Sequence, residues 1–147
     1  MIRPAERADI PRIWVLIQEL AEYERLTHAV TGDAETLARH VFDEQRAIVF
    51  VFELDGEIIG YTLSFPLYST FRTCPGLWLE DLYVTPSFRG KGFGKALLTH
   101  LIEHCRDNGF GRLDWSVLSW NEPAVGFYQA MGAEVMPDWR ICRLSFG

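Results

Sequence analysis

Apolar residues recur at helical spacing through Ile13, Leu16, Ile17 and Leu20, the period that lines one face of an α-helix. Asp9 stands where a helix cap belongs and Pro11 falls in the first turn, so the pattern predicts a helix over residues 9–24. Thr31-Gly32-Asp33 breaks the chain, and a shorter helix is expected over 33–42, with Leu37 and Val41 on one face. Residues 47–54 are rich in Val, Ile and Phe; Asp55-Gly56 is a hairpin-turn dipeptide, and 57–65 resumes the strand pattern. After Cys74-Pro75-Gly76 a further strand is predicted over 77–84, closed by Thr85-Pro86. Leu97, Leu98, Leu101, Ile102 and Cys105 then mark one face of a helix running from Gly92 to about Arg106, with Asn108-Gly109 as its stop. A strand over 112–118, a helix capped by Asn121 with Pro123 just inside and ended by Met131-Gly132, and two terminal strands over 133–136 and 139–146 complete the reading. This order implies an α/β chain: a mixed sheet covered by helices. Fold class alone names no activity.

The 147 residues, 48% hydrophobic and 23% charged, suit one compact domain spanning 1–147. No stretch approaches the roughly 18 to 20 apolar residues that span a bilayer, and the first residues are charged. No membrane partner is expected, and the cytoplasm is the expected location. Cys74, Cys105 and Cys142 fit neither a disulfide framework nor a paired metal motif, which agrees with a reducing compartment. A net charge of −6 disfavours a grip on nucleic acid, which needs Lys and Arg to neutralise phosphates. The same charge permits a cationic substrate.

Candidate chemistry centres on Arg89-Gly90-Lys91-Gly92-Phe93-Gly94-Lys95, between a predicted strand and a predicted helix. Free amides and the positive end of a helix dipole favour an anion there, and glycines let the main chain approach a phosphate. A P-loop would need Gly at 89 and Ser or Thr at 96, where the chain has Arg89 and Ala96. A dinucleotide fingerprint would put its third glycine at Lys95. Spacing removes both nucleotide readings, while a turn that merely starts a helix tightly stays open. His100-Leu101-Ile102-Glu103-His104 formally matches a zinc-protease signature. With the apolar face centred near Leu101 and Cys105, His100 and Glu103 fall toward solvent, so no metal is expected.

Arg89-x-x-Gly92-x-Gly94, after Leu82-Tyr83-Val84 and before an amphipathic helix, resembles the pyrophosphate-binding motif of GNAT-type N-acetyltransferases. Leu79-Glu80-Asp81-Leu82-Tyr83-Val84, Trp120-Asn121-Glu122-Pro123, Phe127-Tyr128 and Trp139-Arg140 follow in the order and spacing of the spermidine/spermine (diamine) N-acetyltransferase branch. Tyr23-Glu24 and the opening Ile2-Arg3-Pro4-Ala5 extend the similarity to nearly the whole chain.

The resemblance implies a GNAT fold: a mostly antiparallel mixed sheet of about seven strands, splayed at its centre and flanked by about four helices. It implies acetyl-CoA as acetyl donor and a small-molecule primary amine as acceptor, with a homodimer as the expected assembly. Carried over residue by residue, the amides of Gly90, Lys91, Gly92, Phe93, Gly94 and Lys95 would hold the pyrophosphate, with Arg89 at the loop entrance. Leu82, Tyr83 and Val84 would pair through their main chain with the pantetheine arm, and the Leu82 amide would polarise the thioester carbonyl. Asn121 would bond that arm, with Pro123 and Ala124 as the adjoining wall; helix capping is the other use for Asn121.

Tyr128 corresponds to the tyrosine that gives a proton to the departing thiolate. Its phenol, with an ordinary pKa of about 10, can protonate a thiolate of pKa about 8.5 only as far as the site favours the thiol. An aromatic core pair with Phe127 is the structural alternative. Glu80 is the expected base for the acceptor ammonium, with Asp81 on a cationic tail. Strict strand alternation would send these two carboxylates to opposite faces of the sheet. Tyr23 and Glu24 match positions near the amine, although Glu24 could equally be a solvated helix end. One departure bears on the acceptor: Pro137 stands where the polyamine enzymes carry an acidic contact, with Asp138 displaced by one. A shorter diamine or a lysine-like amino acid is thereby left open beside the polyamines. Acetylation of a protein or peptide, and a binding module that holds acyl-CoA without turnover, are the rival functions.

Overall fold

A computed structural model describes residues 1–147. Two compact units make up the chain, Met1–Ser116 and Val117–Gly147.

The first unit is built on a five-stranded sheet in the order β1-β2-β3-β4-β5, with β1 Ile2–Pro4, β2 Ile48–Leu54, β3 Glu57–Ser69, β4 Cys74–Val84 and β5 Leu113–Asp114. All neighbours are antiparallel except β4 and β5. The β2–β3 turn forms as Asp55-Gly56 predicts: both residues take positive φ, at 51° and 79°, the twist that suits a two-residue hairpin. Helix α1 (Ile10–Tyr23) covers one face, where Ile13 and Leu16 pack with Val49, Val51, Tyr61 and Tyr83. Helix α3 (Phe93–Asp107) covers the other, where Leu97 meets Phe52, Ile59 and Val84. Tyr83 and Val84 thus feed opposite cores, as alternation along a strand requires.

Several local details depart from the reading of the sequence. Asp9 precedes α1 without capping it; its carboxylate accepts instead from the Glu6 amide and from Arg3 at 2.8 Å, tying β1 to the start of the helix. The second helix is α2, Ala34–Ala38, capped by Asp33, and it continues as a π-helical turn over Arg39–Asp43. The zinc reading of α3 gains nothing: His100 and His104 present ring edges to Phe50, at centroid distances of 4.6 and 5.2 Å.

The expected strand over 112–118 shrinks to Leu113–Asp114, and neither terminal strand forms, so five strands stand in place of about seven. In the second unit only α4 (Glu122–Ala130) is regular, capped by the Asn121 side chain through the Ala124 amide. A strand needs an edge to pair with as well as the right residues. Residues 133–147 carry the residues and form no ladder, leaving Trp139, Ile141, Leu144 and Phe146 exposed. No helix is long and apolar enough to cross a membrane.

Strand β3 crosses β4 most tightly at Gly60, opposite Val84: a Cβ there would lie 2.7 Å from the Tyr83 carbonyl oxygen and 3.2 Å from Leu97. Backbone cannot yield as a flexible side chain can. Gly60→Ala is therefore expected to destabilise the fold by about 1–3 kcal/mol, read as a lower urea midpoint at unchanged slope; an unshifted midpoint would show that this crossing has slack.

Candidate active site

The site is assembled where β4 parts from its parallel neighbour. β4 and β5 pair only at Leu77↔Leu113 and Trp78↔Asp114. From Leu79 to Val84 the β5-side edge of β4 has no partner strand, so its main-chain groups are open to an added extended segment. On the other side β4 pairs with β3, with one interruption: Asp81 faces Leu63 and Leu79 faces Ser64, which makes Glu80 an extra residue, a β-bulge.

The bulge corrects the expected placement of the acids. It resets the alternation, and Glu80 and Asp81 come to the same face of the sheet, the α1 side. Asp81, partly buried, accepts a hydrogen bond at 2.9 Å from the hydroxyl of Tyr61, whose ring belongs to the α1-side core. Glu80, exposed, accepts from the indole N–H of Trp78 at 3.1 Å. Both lie close enough to Glu24, at the end of α1, for their charges to act on one another.

Burial pushes Asp81 up to about 6; the Tyr61 hydrogen bond opposes that rise, while Glu80 and Glu24 add to it. Burial also raises the half-buried Glu24, with repulsion from Glu80 as the second cause. Tyr61 is driven well above a free phenol by burial and then by Asp81. Three neighbouring carboxylates, with Glu24 and Asp81 raised in proton affinity, suit a cationic group, and Asp81 can exchange a proton near neutrality.

Past β4, a short turn over Pro86–Phe88 leads to the glycine segment. Gly90 and Gly92 both adopt left-handed backbone, φ 75° and 86°, and no atom lies within 4 Å of where their Cβ would stand. Conformation, not crowding, therefore calls for glycine at both. Gly92 caps α3, whose first helical bond runs from the Ala96 amide to the Gly92 carbonyl at 3.0 Å. The amides of Phe93, Gly94 and Lys95 precede that bond and have no helical partner, which is the arrangement of an anion site at a helix start. Arg89 folds back: its Nε donates to the Val84 carbonyl at 2.9 Å.

Of the residues singled out in the sequence, Tyr23, Glu24, Glu80, Asp81, Leu82, Tyr83, Val84 and the 89–95 turn belong to the first unit. Asn121, Pro123, Ala124 and Tyr128 belong to the second, where the Phe127 and Tyr128 rings lie 5.4 Å apart between centroids, tilted by 54°. Tyr61 and Trp78 were not anticipated. Each is an unremarkable aromatic in a strand pattern; the register of β3 against β4 brings Tyr61 to Asp81, whereas Trp78 meets Glu80 two residues along its own strand.

The model of the acetyltransferase (GNAT) family matches residues 13–133. Among characterised relatives, the L-ornithine N5-acetyltransferase NATA1 of Arabidopsis thaliana is 31% identical, over 98% of this chain and 83% of its own. The thialysine N-epsilon-acetyltransferase of Bos taurus is 36% identical, over 94% and 86%. In fold, the chain is similar to an aminoglycoside acetyltransferase from an uncultured soil metagenomic sample, with a TM-score of 0.80 at 22% identity over 99% of this chain and 96% of that one.

The raised Asp81 has a consequence for stability. With its folded pKa about 6, above the ordinary value, its contribution is fully present below about pH 4 and is lost as pH rises through 6. Asp81→Asn is thus expected to be more stable than the parent by about 1–2 kcal/mol at pH 8. Below about pH 4 the gap should close, since the carboxyl is then neutral in the folded and the unfolded chain alike. Chemical denaturation at both pH values checks this; a variant less stable at pH 8 would mean that the buried charge is well compensated.

Proposed function

Because the chain belongs to the GNAT acetyltransferase family, we propose that this enzyme moves the acetyl group of acetyl-CoA onto a primary amine of a small molecule, by direct attack in a ternary complex. The observation that carries the reading is the continuity of the open β4 edge, Leu79–Val84, with the paired left-handed glycines and the α3 start. That track offers extended main-chain pairing followed by an anion cradle, the two things an acyl-pantetheine diphosphate needs.

The amides of residues 90–95 hold the pyrophosphate, and Leu82, Tyr83 and Val84 pair with the pantetheine arm, while Asn121, Pro123 and Ala124 supply further contacts to it.

The acceptor arrives as an ammonium, since such amines have a pKa of about 10.4. Glu80, directly or through water, takes one proton, and Asp81, raised to about 6 and on the same face, is its companion. The neutral nitrogen attacks the thioester carbonyl carbon, and the Leu82 amide stabilises the oxyanion as the C–N bond forms. Collapse breaks the C–S bond, Tyr128 gives the departing thiolate its proton, and the second proton shed by the acylated nitrogen returns Tyr128 to its phenol form, directly or through water. The products are an amide and free CoA thiol, with one proton released to solvent.

Tyr23, Glu24, Glu80 and Asp81 form the amine side of the site. Relatives named for ornithine and thialysine match at 31% and 36% identity, against 29% for a spermidine/spermine-like human relative. Together with Pro137, this favours the side-chain amine of an ornithine- or lysine-like amino acid over a polyamine. The enzyme works in the cytoplasm, as a homodimer.

The test is a thiol-release screen with acetyl-CoA across ornithine, lysine, thialysine, short diamines, spermidine and a basic peptide. Turnover confined to the ω-amino acids is expected. Calorimetric binding of acetyl-CoA with no turnover on any amine would leave only a binding module. In the same assay Tyr128→Phe should lower kcat about 10- to 100-fold with acetyl-CoA affinity nearly unchanged, and parental turnover would remove the tyrosine from proton donation. Gly92→Asp should abolish acetyl-CoA binding in a folded protein, since it adds backbone strain and a negative charge to the cradle; retained micromolar affinity would place the diphosphate elsewhere.

A further inference from the structure

The side chain of Arg89 does not lie along the glycine turn that it opens. Its guanidinium carbon sits 4.9 Å from the ring centre of Tyr23 and 5.1 Å from that of Tyr83, one aromatic at the end of α1 and the other on β4. Its Nε donates to the Val84 carbonyl at 2.9 Å, and the Tyr83 ring beside the guanidinium carries its hydroxyl toward α1. That hydroxyl in turn donates to Glu19 on α1 at 3.1 Å, and Glu19 faces Arg12 at 3.6 Å. Arg89 therefore reaches α1 twice, directly through Tyr23 and indirectly through Tyr83 and Glu19.

Tyr23 is the last residue of α1, and Glu24 follows it at once. Just beyond, Arg25 takes a left-handed φ of 61°, a conformation that a residue with a Cβ adopts only when its surroundings hold it there. A planar cation over the Tyr23 ring is one such constraint, and Lys, a compact point charge, would not reproduce both the ring contact and the Nε hydrogen bond.

We propose that Arg89 is a positioning residue for the amine side of the site: it fixes the end of α1, and with it Glu24, against the strand carrying Glu80 and Asp81, and it is not a phosphate contact. The proposal rests on the reading of Tyr23–Glu24 as amine contacts given above. It also departs from the role that the sequence resemblance implies for Arg89 at the entrance to the pyrophosphate loop.

The experiment compares Arg89→Met, Arg89→Lys, Glu24→Gln and the Arg89→Met/Glu24→Gln double variant in the full chain. With the preferred amine, Arg89→Met should raise the amine KM about five- to ten-fold, while the acetyl-CoA Kd by calorimetry stays within about two-fold of the parent. Arg89→Lys should recover part of that loss. The double variant should be no worse than Glu24→Gln alone, because both changes act through one group.

Hydrogen exchange gives a readout independent of turnover. The amides of Glu24 and Leu26, bonded to the Leu20 and Ala21 carbonyls at 2.9 and 2.8 Å, should exchange faster in Arg89→Met than in the parent. A weakened acetyl-CoA Kd with unchanged amine KM, additive effects in the double variant, or unchanged exchange at these two amides would each overturn the proposal. If the parent binds no acetyl-CoA, the functional reading fails by itself, and the exchange comparison still decides what Arg89 holds.

Discussion

Everything at the site depends on β4 having two different neighbours along its length. At its start it is held from both sides, by β3 and by β5; from Leu79 onward only β3 holds it. Unpaired main-chain groups in the middle of a sheet are costly unless something bonds them. The extra residue at Glu80 lies within the stretch that β5 leaves. Departure and bulge together give one short segment two outputs: open backbone on the edge and two adjacent acids on a face. Neither output needs an unusual side chain, so very different acceptors can be served by changing the residues around a constant strand.

The acids are kept where they cost stability. Burial dominates the ionisation of Asp81, and the group bonded to its carboxylate is the neutral Tyr61 hydroxyl. An apolar or amide residue would serve the fold better, and such a group is retained most readily where a charged ligand compensates it. The half-buried Glu24, raised for the same reason, is the second case in the same place.

Much of this was legible in the chain. The helical period of Ile13, Leu16 and Leu20, the Asp55-Gly56 hairpin and the Gly92 and Asn121 helix starts rest on local rules, and each appears within a few residues of its expected place. What failed was non-local. Alternation alone could not place Glu80 and Asp81, because a bulge is a property of two strands in register. The strands expected at 112–118 and after 133 had suitable residues, but pairing partners decide strands and a single sequence does not state them. The Tyr61–Asp81 bond spans twenty residues and the Tyr83–Glu19 bond sixty-four, distances at which no spacing rule operates. Arg89 is the instructive case: a motif match singled the residue out, whereas the direction of its side chain had to be observed.

The Trp78–Glu80 hydrogen bond has an optical consequence. An indole's emission follows the local electric field, and here a carboxylate stands 3.1 Å from the ring nitrogen. Capture of a proton or a cation by that acid would change the field at the ring, so the colour of Trp78 fluorescence would follow the charge state of Glu80. The molecule thus carries its own dye beside the bulge, bonded directly to one of its two adjacent acids.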